Sequence, residues 1–469
     1  MMEKVGILVV SYGSRAAAMI DAFVRSEEYA PKLYIADKQK NPFNLKHAEK
    51  HTVIPNLNIN EILRFAKKHR DQIDFGIVGP EKPIISGVRD IIEKKTDIQL
   101  ICPTQRYAIE ASKIAQRQLF QKVAPEVNPR FKVFDPNDYS STAQVKKSVY
   151  AWLKELGNKV AVKPDKATAG KGVGVWGDHF STPEEVFEHF ISNYEHGPVI
   201  IEEKVEGEES SFQAFCDGKC LVPLPDSRDY KRAFDEDKGP NTGGMGSYKN
   251  TGDTLPFLTA KDRAKEIELV NKVFFELRGK SSNPELRGIP LYVAFIHTDK
   301  GPKILEVNSR PGDPEIMNLL PILKDDFVEV CYNMRDGTLG KVNFQKQATV
   351  VTYKVPSNYG GYASIFPDRV DKTKADTAID LTEAQKLAEK DGNIRVYPGS
   401  MELRDGENFG LGSRTVAVVG IGDDIQEARE TSLKGLGAIE GGALWNRSDI
   451  AAREHIEKSI KHMEELRRR

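Results

Sequence analysis

The chain has 469 residues, of which 39% are hydrophobic and 29% are charged, and its formal net charge at pH 7 is −1. This composition is typical of an ordinary soluble protein of about three domains. The near-neutral charge does not favour binding to nucleic acid or to an anionic membrane. No apolar run approaches the length of a membrane span, and the first residues lead into a predicted strand rather than a signal peptide. The four cysteines lack a zinc-binding spacing, so we expect reduced thiols in a cytoplasmic protein.

Residues 1–104 are predicted to form a parallel α/β domain. Four apolar, strand-like runs lie at residues 5–10, 32–36, 75–78 and 98–102. Helical patterns separate these runs, and strands that alternate with helices are typical of a parallel sheet. A helix predicted at residues 106–123, which contains Lys113, then begins a second domain.

Two turns of the first domain follow predicted strands and are candidate ligand contacts. Gly13 lies between the first strand and a helix that begins near Arg15, and Glu81 follows Gly79 and Pro80 after the third strand. Ligands of open α/β sheets bind at the carboxyl ends of the strands, and a helix N-terminus attracts anions. Gly13 and Glu81 are therefore predicted to contact a substrate, although turn geometry alone would also explain a glycine here.

A glycine-rich segment at residues 167–174 is the first distinctive feature of the second domain. It follows a strand that bears Lys163 and leads into another strand at residues 174–176. It is therefore a strand–loop–strand flap, unlike a Walker loop, which runs into a helix. Its small residues let backbone N–H groups approach phosphates, and Lys171 adds positive charge. A glycine-rich hairpin can be merely flexible, but the two lysines favour phosphate binding.

An apolar strand at residues 199–201 leads into a cluster of carboxylates that includes Glu202, Glu203 and Glu209. Adjacent glutamates usually form a solvated edge. Here they follow an apolar strand downstream of the predicted phosphate flap, where backbone groups can hold an adenine and a carboxylate can accept hydrogen bonds from a ribose. This position favours nucleotide binding.

Residues 229–248 are predicted to form an ordered loop without regular secondary structure. The segment contains four glycines, a proline and an Asn-Thr pair, which favour a tight backbone nest. A structureless segment of this length in a compact domain is usually functional or disordered. The flanking aromatic residues favour order, so the segment is predicted to be functional.

The strand predicted to end at Asn308 carries the candidate metal site. The period of two places Glu306 and Asn308 on one face, with Leu305 and Val307 on the other. Two neighbouring oxygens suit a Mg²⁺ ion that keeps water ligands and binds substrate phosphates. Arg310 offers a planar fork for a carboxylate or phosphate. For this strand taken alone, an exposed hairpin with a polar face is the alternative.

The end of the chain is predicted to form a separate α+β module at residues 341–449. Its strands are predicted at residues 348–353, 392–396, 401–404 and 415–421, with a helix from about Ile425. Residues 450–469 are predicted to form a charged surface helix, to which we assign no function.

Several motifs occur in a fixed order along the chain. They are Ala-Gly-Lys-Gly at 169–172, Glu-Gly-Glu-Glu at 206–209, Lys-Gly-Pro-Asn-Thr-Gly-Gly-Met-Gly at 238–246, Glu-Val-Asn-Ser-Arg at 306–310 and Gly-Asp-Pro-Glu at 312–315. Together they resemble the glycinamide ribonucleotide synthetase family, the phosphoribosylamine–glycine ligases of purine biosynthesis. The third motif is very specific, whereas the others are shared more widely among ATP-grasp proteins. The resemblance extends from residue 5 to about residue 449.

The resemblance implies a multidomain α/β and α+β protein whose central part, residues 105–335, has the ATP-grasp fold with a lid at roughly residues 128–200. It implies ATP-dependent ligation of glycine to 5-phosphoribosylamine, which gives glycinamide ribonucleotide, ADP and phosphate through a glycyl phosphate. The implied cofactors are ATP and Mg²⁺, with Mn²⁺ as an alternative metal. The sequence does not choose between a monomer and a homodimer.

The resemblance also assigns roles to individual residues, with Glu306 and Asn308 as the metal ligands. The implied ATP contacts are Lys113, Lys163, Lys171, Gly172, Glu202, Glu203, Val205 and Glu209. The implied contacts to glycine and the amine are Gly13, Glu81, Asp229, Lys231, Asn241, Thr242, Gly243, Gly244, Met245, Arg310, Gly312 and Asp313. The implied catalytic residues are Lys171, Arg310, Asp229 and Asp313, the last two as candidate proton acceptors.

The chain departs from the family's pattern in three places, the first of which spans two residues. The first turn continues with Ala16 and Ala17, where the family usually has Glu-His after Gly-Gly-Arg. Pro311 stands where the family usually has Phe, and Met317 where it usually has Gln. Two alternatives therefore stay open: a diverged ATP-grasp ligase with another amino acid or amine, and a nucleotide-binding protein without turnover.

Overall fold

The computed structural model describes residues 2–166, 172–288, 291–357, 359 and 377–469. The predicted phosphate contact Lys171 lies outside these residues, as does most of the glycine-rich segment.

A five-stranded parallel sheet forms the first domain, as predicted. Its strands are β1 (Glu3–Val10), β2 (Tyr29–Asp37), β3 (Ala48–Val53), β4 (Phe75–Val78) and β5 (Gln99–Ile101), in the order β3-β2-β1-β4-β5. The connecting helices are α1 (Gly13–Val24), α2 (Pro42–His47), α3 (Ile59–Lys68), α4 (Glu81–Ile85) and α5 (Val88–Lys95). Strand β1 is fully buried from Val5 onward, which explains its continuous apolar run. The prediction missed β3, because this edge strand is polar and lacks a buried face.

The helix predicted at residues 106–123 begins later in the structure. Two short 3-10 turns, Gln105–Tyr107 and Ile109–Ala111, precede helix α6 (Lys113–Val123). The side chain of Ser112 accepts a hydrogen bond from the backbone N–H of Ala115, and this N-cap starts the helix. The predicted start was therefore wrong, and Lys113 occupies the first turn of α6.

The predicted lid contains an antiparallel sheet of order β6-β9-β7-β8 covered by two helices. The elements are β6 (Phe131–Phe134), α7 (Thr142–Glu155), β7 (Val160–Pro164), β8 (Gly174–Val175), α8 (Pro183–Tyr194) and β9 (Val199–Glu203). Apolar side chains of the two helices and of the sheet form one buried cluster, so the lid has a core of its own.

A second antiparallel sheet carries the candidate metal site. Its strands are β10 (Glu208–Cys216), β11 (Leu221–Pro223), β16 (Leu291–Thr298) and β17 (Gly301–Asn308), in the order β11-β10-β16-β17. Helices α6 and α9 (Ala260–Arg278) pack behind it. The predicted hairpin of β16 and β17 is confirmed, with an irregular register opposite Ala294 and Phe295.

The segment at residues 229–248 contains short strands, so the prediction that it has no regular structure was wrong. The strands are β12 (Arg228–Asp229), β13 (Arg232–Phe234), β14 (Lys238–Asn241) and β15 (Gly246–Lys249). Strand β13 pairs with β14, whereas β15 pairs with β18 (Ala348–Pro356), about a hundred residues further along the chain. The glycine-rich composition gives no indication of such distant pairing.

The last part of the chain follows α10 (Phe327–Asp336) and shares a sheet with the central part. Its further elements are α11 (Thr382–Asp391), β19 (Ile394–Pro398), β20 (Met401–Arg404), β21 (Glu407–Gly410), β22 (Val416–Gly422), α12 (Ile425–Gly437), β23 (Leu444–Trp445) and α13 (Arg453–Arg468). The sheet order β12-β15-β18-β22-β19 joins residues on both sides of the predicted boundary at 335–341. The domain limits stay a prediction, but this module is paired to its neighbour rather than separate.

The terminal helix α13 is amphipathic and packs through one face. Ile456, Met463 and Leu466 are buried in the main apolar core, whereas the charged residues lie outside. Across the described ranges, the helices are all too short or too polar to cross a membrane.

Candidate active site

Glu306 and Asn308 lie together at the end of β17, as the strand period predicts. Nδ2 of Asn308 donates to Oε1 of Glu306 at 3.3 Å. Burial alone would raise the pKa of Glu306, but Lys231 and Lys113 lower it, and the net pKa is below the ordinary value. The carboxylate is therefore charged at neutral pH. The residues in the described ranges do not include a group of three or more His, Cys, Asp or Glu side chains that could hold a metal alone.

Arg310 lies between strand β17, which carries the candidate metal site, and the first domain. Its Nε is 3.5 Å from Oε1 of Glu110 and 3.8 Å from Oε2 of Glu81, and its guanidinium lies over the ring of Tyr292 at 5.9 Å. Burial opposes the charge of Arg310, but Glu110 and Glu81 raise its pKa above the ordinary value. The structure thus brings together the two predicted substrate residues Glu81 and Arg310.

Glu110 is a site residue that the sequence reading missed. It is 7% exposed, and one of its carboxylate oxygens accepts a hydrogen bond from the backbone N–H of Ser309 at 3.0 Å. Burial raises the pKa of Glu110 to about 7, although Arg310 acts in the opposite direction. A lone glutamate in a short 3-10 turn has no distinguishing sequence pattern.

The carboxylate of Glu202 holds two cations in the buried base of the lid. Oε1 and Oε2 accept from Arg117 at 2.6 and 3.0 Å, and Oε2 accepts from Nζ of Lys163 at 2.7 Å. Burial opposes ionisation, but Arg117 and Lys163 lower the pKa of Glu202 to about 2. The Glu202 side chain is therefore occupied by Arg117 and Lys163, and it fixes the position of Lys163. Arg117 was not predicted.

The neighbouring nucleotide candidates are placed as follows. Nζ of Lys113 donates to the carbonyl of Lys166 at 3.0 Å, and the pKa of Lys113 is lowered by burial and by Lys163, with Glu306 opposing. Oε1 of Glu203 accepts from the backbone N–H of Arg130 at 2.9 Å. The carbonyl of Gly172 lies 2.9 Å from Nε2 of His189, and Val205 is half-buried.

Lys231 bridges Glu209, the predicted ribose contact, and Asp229, at the start of the segment at residues 229–248. Its Nζ donates to Oε2 of Glu209 at 2.7 Å and to Oδ1 of Asp229 at 2.9 Å. Burial opposes its charge, but Asp229 and Glu209 raise the pKa of Lys231 well above the ordinary value. For Asp229, burial raises the pKa and outweighs the lowering by Lys231.

The predicted nest at residues 241–245 is held by the backbone carbonyls of residues 230 and 231. The backbone N–H and the hydroxyl of Thr242 donate to the carbonyl of Lys231 at 2.7 and 2.8 Å, and the N–H of Met245 donates to the carbonyl of Tyr230 at 2.7 Å. Gly244 has a φ of +109°, and a Cβ there would lie 2.6 Å from Pro314. Only glycine fits this position without strain. Asn241 is exposed at the edge of the nest.

Arg414, a residue of the last module that was not predicted, joins this nest to Asp313. Its Nη1 donates to the carbonyls of Gly243 and Asp313 at 2.7 and 3.0 Å, and its Nη2 is 3.1 Å from Oδ2 of Asp313. The hydroxyl of Tyr353 donates to Oδ1 of Asp313 at 2.8 Å. Burial opposes ionisation, but Arg414 and Arg15 lower the pKa of Asp313, which makes it a weak proton acceptor.

The loop after Arg310 packs against strand β10 and against the side chain of Glu315. The backbone N–H of Gly312 donates to Oε1 of Gln213 at 3.0 Å, and a Cβ on Gly312 would lie 2.5 Å from Oε2 of Glu315. Burial and Asp229 raise the pKa of Glu315 to about 7. Gly13, with a φ of +69°, begins helix α1, and the nearest atoms to a Cβ placed there belong to Gly399.

The comparisons with known proteins cover nearly the whole chain. The family models described as phosphoribosylglycinamide synthetase, N domain, and phosphoribosylglycinamide synthetase, ATP-grasp (A) domain, match residues 5–110 and 127–316. A phosphoribosylamine–glycine ligase from Methanocella arvoryzae is 36% identical over 464 residues, which are 98% of this chain and 99% of that protein. One from Pyrococcus furiosus is 35% identical over 468 residues, with 99% and 98% covered. The chain belongs to the phosphoribosylglycinamide synthetase family.

Solved structures agree with this family's ATP-grasp fold. A phosphoribosylamine–glycine ligase from Thermotoga maritima has a TM-score of 0.71 at 22% identity, with 95% of this chain and all of that chain (100%) covered. An N5-carboxyaminoimidazole synthetase from Staphylococcus aureus, complexed with ADP, has a TM-score of 0.60 at 10% identity, with 93% and 98% covered. At these identities the likeness concerns the fold alone. The predicted fold class and the resemblance to this family of ATP-grasp ligases are confirmed.

Proposed function

We propose that this member of the phosphoribosylglycinamide synthetase family joins glycine to 5-phosphoribosylamine and converts ATP to ADP and phosphate. The observation that carries the proposal is the meeting of Glu306, Asn308 and Arg310 with Lys231 and Lys113 in a chain that aligns with these ligases over its full length. Oxygen donors, cations and an arginine fork are the groups that a phosphoryl transfer to a carboxylate requires.

The nucleotide would lie between the lid and the sheet that contains β17. Lys113 and Lys163 would contact its phosphates, and Glu209 its ribose, while the salt bridge to Glu202 holds Lys163 in place. Glu306 and Asn308 fit a Mg²⁺ or Mn²⁺ ion, provided that the Asn308 amide turns its oxygen toward the ion. Such a metal neutralises phosphate charge when bound. Lys171 remains a sequence-based prediction.

The first step would form an acyl phosphate. Arg310 would hold the glycine carboxylate, one oxygen of which attacks the γ-phosphorus while the bond to the β-phosphate oxygen breaks and ADP leaves. Arg310 is suited to this role because its guanidinium lies beside Glu81 and Glu110, which favour its charged form and raise its pKa. Catalysis then rests on positioning and charge neutralisation, without a covalent enzyme intermediate.

The second step would form the amide. The amine nitrogen attacks the acyl carbon, the bond from that carbon to the phosphate oxygen breaks, and a proton passes from nitrogen to a base. Asp229 is better suited than Asp313 as that base, because the pKa of Asp229 is raised by burial. Arg414 and Tyr353 instead hold Asp313 in its ionised form.

Product analysis tests the proposal directly. Purified protein is incubated with ATP, Mg²⁺, glycine and freshly generated phosphoribosylamine, and we expect glycinamide ribonucleotide, ADP and phosphate in equal amounts. Alanine and β-alanine serve as competitors, because a diverged ligase would use a larger amino acid equally well. Nucleotide binding without any amide product would support the non-catalytic alternative. We also propose a cytoplasmic location, consistent with four free cysteines.

A further inference from the structure

A tight turn of the lid, residues 177–179, presents the carboxylate of Asp178 away from the lid core. The backbone N–H groups of Asp178 and His179 both donate to the carbonyl of Val175, at 3.1 and 2.9 Å, and Gly177 has a φ of +84°. Phe180, which follows the turn, is 4% exposed and packs in the lid core. Asp178 is thus fixed to the body of the lid.

Arg232, on strand β13 of the segment at residues 229–248, lies opposite this turn. Its Nη2 is 2.5 Å from Oδ2 of Asp178, and its Nη1 donates to the carbonyl of Gly239 at 2.8 Å. The side chains of Arg232 and Asp178 are 19% and 32% exposed, so solvent screens the pair only in part. The guanidinium therefore connects the lid to the hairpin of β13 and β14.

The residue before Arg232 connects the same strand to the predicted substrate and ribose contacts. Lys231 pairs with Asp229 and Glu209, and its carbonyl accepts both hydrogen bonds from Thr242. A displacement of β13 would therefore move the nest and the Lys231 ammonium together.

The other side of β13 is held by the last part of the chain. Nη1 of Arg447 donates to the carbonyl of Arg232 at 2.8 Å, and the Arg447 side chain is fully buried (0% exposed). Arg447 also pairs with Asp237 and Asp449. Arg447 thus holds one side of β13, and Arg232 links the other side to the lid. A movement of the lid would therefore displace β13 through Arg232.

We propose that Asp178 and Arg232 are positioning residues that couple closure of the lid to the arrangement of Lys231 and the nest. The inference rests on the proposed function. When the ion pair is formed, the lid excludes water between formation of the acyl phosphate and its reaction with the amine. Without it, water attacks the acyl carbon, phosphate leaves, and glycine is regenerated. ATP is then consumed without amide formation.

The experiment measures phosphate and amide together under saturating substrates. The full-length wild-type protein is compared with Asp178→Asn, Arg232→Gln and the charge exchange Asp178→Arg/Arg232→Asp. Loss of a part-exposed pair corresponds to a fall of about 5-fold in amide formation. We expect the ratio of phosphate to amide to rise above one in both single variants and to return toward one in the exchange variant.

Glu155→Gln is the matched control, because Glu155 and Arg130 form an exposed ion pair within the lid. This variant should keep the wild-type rate and ratio. Single variants that keep a ratio of one would overturn the proposed role of the Asp178–Arg232 pair while leaving the proposed function intact. A lowered thermal midpoint without recovery in the exchange variant would assign the pair a structural role instead. A wild-type protein that forms no amide would refute the proposed function itself.

Discussion

Nη1 of Arg15 donates to the carbonyl of Pro311 at 2.9 Å and so joins helix α1 to the loop that follows strand β17. Proline has no backbone N–H, so this carbonyl is its sole backbone hydrogen-bonding group. Arg15 is 4% exposed, and the neighbouring Ala16 and Ala17 are fully buried (0%). The two alanines that depart from the family's pattern therefore fill the core, while Arg15 contacts the residue next to Arg310.

Arg15→Lys should weaken substrate use while leaving nucleotide binding unchanged. Lysine keeps the charge but lacks the fork that reaches the Pro311 carbonyl. Loss of a charged hydrogen bond corresponds to roughly 10-fold or more in kcat/KM for glycine and the amine. Steady-state kinetics with each substrate varied in turn would measure this effect. An equal rise in the KM for ATP would contradict it.

Glu306→Ala should remove most turnover while the fold remains intact. The Glu306 carboxylate is the charged group of the Glu306–Asn308 pair. Removing one preorganised electrostatic group costs about 2 to 4 kcal/mol of transition-state stabilisation. The measurement is kcat at saturating metal, with circular dichroism to verify folding. Near-wild-type activity of a folded variant would show that the metal has been assigned to the wrong residues.

The strand carrying Glu306 and Asn308 could be predicted because alternation along a strand depends on the local sequence alone. The same holds for β1 and β4, whose apolar runs reflect burial on both faces. The predictions failed where pairing was distant, as for β15, or where a strand was polar, as for β3.

The site residues divide in the same way. The sequence singles out Glu306, Arg310 and Glu81 because they lie in motifs or beside strand ends, and their roles stay predictions. Glu110 and Arg414 could not, because each enters the site from a separate element and has no pattern of its own. Tertiary packing, rather than local sequence, places these two side chains.

Glu202 should contribute acid-sensitive stability. It is 2% exposed, and although burial opposes ionisation, Arg117 and Lys163 lower its pKa from 4.5 to about 2. The unfolded chain therefore binds more protons between these pH values, so the contribution is complete above pH 4.5 and is lost as the pH falls through about 2.

Glu202→Gln is the variant that tests this contribution. We expect the free energy of unfolding at pH 7 to fall by about 3 kcal/mol, because the two cations lose a buried partner. Denaturant titrations at pH 7 and along the acid limb would measure the change. The exposed pair of Arg130 and Glu155 provides the control, since Glu155→Gln should change stability by less than about 1 kcal/mol. Equal effects of the two substitutions would contradict the assignment.

The position of attack on ATP can be followed with an isotope. In the proposed function, Lys113 and Lys163 contact the phosphates and Arg310 brings a carboxylate toward the γ-phosphorus. Attack there gives ADP and an acyl phosphate, and one carboxylate oxygen of glycine must then leave with the phosphate. With oxygen-18 in the glycine carboxylate, mass spectrometry of the released phosphate should show one labelled oxygen per turnover. AMP among the products, or phosphate without the label, would mean that the carboxylate is activated in another way and that Arg310 has a different role.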